Sequence, residues 1–249
     1  MANITTSYIM NYLFDHDIFY IQPRQISLIF QIEINKVYDL IQRLKTHNLI
    51  QEVENGKYLV LGYDKKRVLS NPFFIATNIV IPSYISYWSA LNYYGFTEQV
   101  PRYIFCATTK QKKPIHLGNY TFQYSTINKQ KLYGYTKETI GELPTFIAEP
   151  EKAIIDSLDI MNNAGGIKEI AKSIDQAIDI INKKKLIEYA QHFPNKSLIS
   201  RLGYLLENIG IKATALQQYK STSYILLNPK KKNTKQYNKQ WHIIINEEL

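Results

Sequence analysis

Residues Arg24–Tyr63 read RQISLIFQIEINKVYDLIQRLKTHNLIQEVENGKYLVLGY. Within Glu33–His47, Ile34, Val37, Leu40, Ile41 and Leu44 recur at three- and four-residue steps, which predicts one apolar stripe on a helix. The opposite face carries Asn35, Lys36, Asp39, Gln42, Arg43 and Thr46. Most of these side chains can donate to phosphates and base edges. Asp39 would repel phosphate and is expected to pair with Arg43 at i, i+4. Glu33 is a poor helix cap beside Ser, Thr, Asp or Asn. Leu49–Val53 and Lys57–Leu61 predict strands across Glu54-Asn55-Gly56. Asn-Gly is a strong hairpin signal, because both central residues of its preferred turn take positive φ. Helix, turn, helix and hairpin in this order predict a winged helix-turn-helix, whose second helix enters the major groove of DNA. The same elements also build protein-interaction modules, which is the rival reading.

Outward from this stretch, Thr5–Asp15 predicts a first helix with Ile9, Tyr12 and Leu13 inward. Ile18–Gln22 is a short extended link suited to a third strand, and Pro23 opens the next helix at a favourable position. The candidate DNA contacts are Asn35, Lys36, Gln42 and Arg43 in the groove, and Asn55 and Lys57 on the wing. Arg24 and Gln25, at the start of the preceding helix, are candidates for phosphate. Lys65-Lys66-Arg67 begins a connection, and Asn71-Pro72 marks a boundary between residues 1–70 and 71–249.

Beyond the boundary, Phe73–Ile81 reads as extended and Ser83–Tyr94 as a buried aromatic helix closed by Gly95. Arg102–Thr108 predicts a strand and Lys110–Pro114 an exposed basic turn. Ile115–Leu117 with Tyr120–Ile127 predicts a hairpin, and Leu132–Lys137 and Thr145–Ala148 predict further strands. Helices are expected from Glu149-Pro150 and over Ile167–Ile181, Lys183–His192 and Lys196–Ile209. Ser223–Leu227 and Trp241–Ile245 read as extended, around a polar basic loop, Asn228–Gln240, expected to be mobile. The fold class is therefore α+β: a winged helix-turn-helix, then a mixed part ending in helices and short strands.

The chain has 249 residues, 45% hydrophobic and 20% charged, enough to bury a proper core. No basic-then-apolar leader and no apolar run of membrane length occurs, and Cys106 has no partner for a disulfide. A reducing, cytoplasmic compartment is the expectation. The net charge of +9 favours polyanionic partners. Up to Ser70, however, eight basic residues meet seven acidic ones. The excess lies between Asn195 and Ile245, where Lys196, Arg201, Lys212, Lys220, Lys230, Lys231, Lys232, Lys235 and Lys239 face only Glu207.

No phosphate loop, zinc spacing or serine elbow is present, and the five histidines form no ligand pattern, so no cofactor or metal is expected. Glu149, Glu151, Lys152 and Asp156 invite comparison with metal-dependent nucleases. Glu151 and Lys152 nevertheless diverge by about 100° on a helix. Lys152 and Asp156 read better as a surface ion pair at i, i+4. Tyr84, Tyr87, Tyr93, Tyr94, Tyr120 and Tyr124 suit base stacking, though core packing is the commoner fate.

The order of segments resembles the AbiEi family, antitoxins of type IV toxin–antitoxin and abortive phage infection systems. The resemblance is carried by IPSYISYWSALNYYGFTEQVP (residues 81–101), RYIFCATT, KLYGY, FIAEPEKAIIDSL and RLGYLLENIG. Its strongest parts are SYIS-x-x-SAL-x-x-x-G and PEKA-x-x-D, with Trp241 a weaker match. The resemblance implies a non-enzymatic autorepressor that binds inverted repeats in double-stranded DNA upstream of its own operon. It also implies a C-terminal domain that neutralises a co-encoded nucleotidyltransferase-like toxin, in many cases without a stable complex. Lys196, Arg201 and Lys212 are the candidates for that antitoxin surface. The alternatives are a metal-dependent nuclease on the second part and an antitoxin that meets only protein.

Overall fold

The computed structural model describes residues 5–249. Its N-terminal elements are α1 (Thr6–Asp15), β1 (Tyr20–Ile21), α2 (Pro23–Phe30), α3 (Ile34–Thr46), β2 (Ile50–Glu54) and β3 (Lys57–Val60). The three strands form an antiparallel sheet in the order β1-β3-β2. Thr5 caps α1 by accepting from the Tyr8 amide at 3.2 Å. Val37, Leu40, Ile41 and Leu44 line the buried side of α3 and pack with Ile9, Leu13 and Ile26 of α1 and α2. Ile34 departs from the predicted stripe: it stands 38% exposed at the first turn, before the packing of α2 on α3 closes.

Strand alternation divides β3 between two cores. Tyr58 and Val60 face the three helices, while Leu59 joins Phe19 and Leu61 in the larger core of the chain. The Phe19 ring meets Phe74 edge-on at 4.8 Å between centroids. The small sheet is therefore covered on both faces.

The larger part continues with α4 (Lys65–Leu69), α5 (Pro72–Ile79), β4 (Ser83–Ile85), α6 (Tyr87–Tyr93), β5 (Ile104–Thr108), β6 (Ile115–Leu117) and β7 (Tyr120–Thr126). Then come β8 (Tyr135–Ile140), β9 (Leu143–Ala148), α7 (Pro150–Asp159), α8 (Ile167–Ala177), α9 (Lys183–His192) and α10 (Lys196–Asn208). The chain ends with β10 (Ile225–Leu226), β11 (Tyr237–Asn238) and β12 (Ile243–Ile244). A mixed six-stranded sheet runs β6-β7-β5-β4-β9-β8, and a small sheet β10-β12-β11 closes the C-terminus. Helices and strands in several sheets make the fold α+β.

Two expected elements change type. Residues 73–79 are helical, because Asn71 caps the turn by accepting from the Phe74 amide at 3.0 Å and Pro72 occupies the first position. The Asn-Pro pair thus opens a helix. Ser83–Ile85 is a strand, paired antiparallel with β5 and parallel with β9 at the centre of the sheet. Ser86 is extended and Tyr87 stands at φ 54, so the helix begins only there.

Neighbouring residues of β7 show how the sheet is covered. The Tyr124 hydroxyl donates to the Ala76 carbonyl of α5 at 2.8 Å, whereas Ser125 meets Asn163, just beyond α7. With α5 on one face and the α7 cluster on the other, the central strand β4 is wholly buried.

Every side chain from Glu151 to Leu158 of α7 is buried. Lys152, with 0% exposure, forms an ion pair with Asp156, a buried pair where the sequence suggested a surface one. Asp156 also accepts from the Tyr84 and Ser86 hydroxyls at 2.9 and 2.7 Å. The Lys152 ammonium donates to the Tyr84 oxygen at 2.9 Å and lies 5.0 Å from the Tyr133 ring centre. At the C-terminus, the buried Trp241 indole packs against Gly203 of α10, where no side chain would fit.

Each single replacement, Lys152→Met or Asp156→Leu, should destabilise the protein by about 3–5 kcal/mol, because it leaves an unpaired buried charge. The double replacement should cost less than the sum of the two, measured by urea unfolding. Gly203→Ala should lower stability by about 1–3 kcal/mol through overpacking against Trp241, read as a lower midpoint in the same assay.

Candidate nucleic-acid interface

The exposed side of α3 carries Asn35, Lys36, Tyr38, Asp39, Gln42, Arg43 and Thr46. At 100° per residue, Asn35, Asp39, Gln42 and Thr46 fall within about 60° of arc, with Arg43 and Lys36 at one margin. The helix thus presents a narrow amide- and hydroxyl-bearing ridge edged by positive charge. Asp39 and Arg43 are both exposed and do not pair within 4.0 Å, contrary to expectation. Lys36 pairs instead with Glu33 at 3.3 Å. Arg24 stands exposed at the start of α2, while Gln25 beside it uses its side-chain oxygen to accept the Gln22 amide at 2.8 Å. Only the Gln25 NH2 group remains for a ligand.

The β2–β3 hairpin differs from the expected turn. Only Gly56 has positive φ, at 66°, and the strand register shifts between Glu52 and Glu54. Asn55 is exposed at the tip. Glu52 accepts from the Gly56 amide at 3.1 Å and pairs with Lys45 of α3 at 3.0 Å, which ties the tip to the helix. Both contacts, the Gly56 amide first, hold the Glu52 carboxyl below its usual range.

Lys57, a candidate wing contact, pairs with Glu54 at 3.3 Å. Glu54 is also reached by the Tyr20 hydroxyl at 3.1 Å and by Lys112, from the β5–β6 turn, at 2.6 Å. Burial opposes the charge on Glu54, but Lys112, Tyr20 and Lys57 outweigh it and hold its carboxyl below the usual range. The Tyr20 phenol is pushed up, by burial first and by Glu54 second. Much of the hairpin's charge is therefore neutralised within the fold, while Arg24 and Arg43 have no ion-pair partner among the described residues. Sequence reading also missed a set of exposed apolar side chains on these helices: Tyr8, Leu28, Ile29 and Tyr38.

Of the expected antitoxin surface, Lys196 and Lys212 are exposed, but Arg201 is not a surface residue. Its guanidinium is buried and donates to the carbonyls of Leu226 at 2.9 Å and Leu227 at 3.2 Å, anchoring β10 to α10. Burial lowers its pKa to about 10. The Asn228–Gln240 loop is likewise organised. The Asn246 amide donates to the carbonyls of Asn228 at 2.8 Å and Lys231 at 3.1 Å, and Lys231 pairs with Glu247 at 2.9 Å.

The residues weighed for nuclease chemistry are spoken for. Glu151 accepts the Asn182 amide at 2.7 Å, Glu149 pairs with Lys185 at 2.8 Å, and Asp156 is saturated by Lys152, Tyr84 and Ser86. No cluster of three or more His, Cys, Asp or Glu suited to a metal occurs among the described residues. Tyr84, Tyr87 and Tyr124 are buried, which removes them from base stacking. Among the described residues no helix is long and apolar enough to cross a membrane.

Over 96% of this chain and 90% of the other, the fold is similar to the crystal structure of the RV2827C protein from Mycobacterium tuberculosis, with a TM-score of 0.56 and 11% sequence identity. At that identity the likeness is one of fold alone. No family model and no curated protein matches the sequence.

Glu54 titrates below the usual carboxylate range, so the stability that it contributes is full above the unfolded value and is lost as pH falls through the lowered one. Lys112→Met should therefore lower stability at neutral pH, and its difference from wild type should shrink as pH falls below the carboxylate range. Urea unfolding at a series of pH values reads this directly.

Proposed function

We propose that the chain is an antitoxin and DNA-binding autorepressor similar to the AbiEi family. In this reading residues 1–70 form a winged helix-turn-helix domain and residues 71–249 an antitoxin domain. One observation carries the DNA-binding half. α3 buries Val37, Leu40, Ile41 and Leu44 completely enough to fix the helix, and its opposite ridge of Asn35, Gln42 and Arg43 is left exposed. The order α1-β1-α2-α3-β2-β3, with the hairpin tied to α3 through Lys45 and Glu52, supports a winged helix reading. In that arrangement α3 enters the major groove and Asn55 follows the neighbouring backbone. Arg24 meets phosphate. The operator is double-stranded DNA with inverted repeats, and the compartment is the cytoplasm.

The antitoxin half rests on the segment resemblance and on the exposed Lys196 and Lys212. Its partner is a co-encoded nucleotidyltransferase-like toxin, neutralised with or without stable contact. No catalytic role is assigned, in keeping with the internal pairing of Glu149, Glu151 and Asp156.

Gel-shift titration against the chain's own upstream DNA tests the reading. Selective binding that weakens with salt is expected. Arg43→Ala should cost about 1–3 kcal/mol and relax specificity at one base pair if the residue reads a guanine. Equal loss on every sequence would make it a phosphate contact, and unchanged binding would remove Arg43 from the interface.

A further inference from the structure

The β5–β6 turn, Lys110-Gln111-Lys112-Lys113-Pro114, lies far along the chain from the β2–β3 hairpin, yet the two meet. The Lys112 ammonium is 2.6 Å from both carboxylate oxygens of Glu54, the residue immediately before the Asn55-Gly56 tip. The turn is held on its own side as well. The Lys110 amide donates to the Thr108 hydroxyl at 3.2 Å, and the Lys110 carbonyl accepts from Thr126 at 3.3 Å. β6 packs beside β2. Lys112 is consumed by this contact, but Lys110 and Lys113 on either side are exposed and have no carboxylate within 4.0 Å among the described residues.

We propose that Lys110 and Lys113 belong to the DNA-contacting surface and meet backbone phosphates flanking the hairpin. The inference rests on the DNA-binding reading above and deepens it. It answers a charge problem. The first 70 residues carry eight basic and seven acidic side chains, and Lys36, Lys45, Lys57 and Arg67 are already paired. A duplex needs cations that displace its condensed counterions, and so neutral a surface supplies few. The second part of the chain brings the missing charge to the edge of the hairpin, on a turn fixed by Glu54 and Thr126. Position selects duplex DNA over an acidic protein as the occupant, since the turn is continuous with the hairpin proposed to lie on the DNA.

The test is fluorescence anisotropy of the full chain on its own upstream duplex and on an unrelated duplex, across a salt series. Wild type is compared with Lys110→Gln/Lys113→Gln and with Lys196→Gln/Lys212→Gln as a control. The first variant should weaken both duplexes by a common factor. The slope of log K against log salt should become shallower by about 2, near one per lost phosphate contact. The control should keep the wild-type slope. If the lysine pair leaves affinity and slope unchanged on a duplex that wild type binds, the inference fails alone. Loss of slope in the control but not in the turn variant overturns it too. If wild type binds neither duplex, the DNA-binding reading falls and takes this inference with it. All four substituted side chains are exposed, so circular dichroism should show the fold retained.

Discussion

A lysine without solvent cannot keep its charge unless the fold supplies compensation, and Lys152 meets that demand at the centre of the molecule. Asp156 lies one helical turn on, Tyr84 and Ser86 come from β4 and the residue after it, and the face of Tyr133 covers the ammonium. The network locks α7 to β4, and β4 joins β5 to β9 in the six-stranded sheet. α8, α9 and α10 pack in turn on α7. The SYIS and PEKA-x-x-D segments are thus the two halves of one buried network. Their physical role is architectural, and their polar groups are satisfied by one another.

A second constraint acts on the N-terminal elements. The small sheet gives Tyr58 and Val60 to one core and Leu59 to the other, so its strands cannot shift register without disturbing both. Glu54 adds a polar clamp, drawing Tyr20, Lys57 and Lys112 to the same edge. The hairpin is therefore positioned by the larger part of the chain as well as by α3. The geometry of the hairpin thus depends in part on Lys112, a residue outside the first 70.

Much of the local structure was legible. α9 starts and ends where periodicity and its flanking residues, Asn182 and Pro194, place it. α3 ends within a residue of its expected limits. The buried stripe Val37, Leu40, Ile41 and Leu44 follows from spacing alone, as does the polar ridge opposite. Errors arose where a short apolar run admits two readings. Phe73–Ile79 could not be told from a strand by periodicity, and Asn71 as a cap was the overlooked signal. Ser83–Ile85 was drawn into the following helix because its pairing partners, β5 and β9, are remote in sequence.

The same division separates what each level of description decided. The sequence by itself determined the helices with clear periodicity, most hairpins, the α+β class and the exposed side of α3, since these depend on neighbours within a few residues. Only the tertiary structure decided that Lys152 and Arg201 are buried, that Glu54 binds Lys112, that Trp241 rests on Gly203 and that the Asn228–Gln240 loop is organised by Asn246. A charge or amide reads as surface-bound until its partner is known. In each of these cases but one the partner is a residue or carbonyl brought close by packing; Asp156 alone was visible at i+4, and there it was the burial that remained hidden.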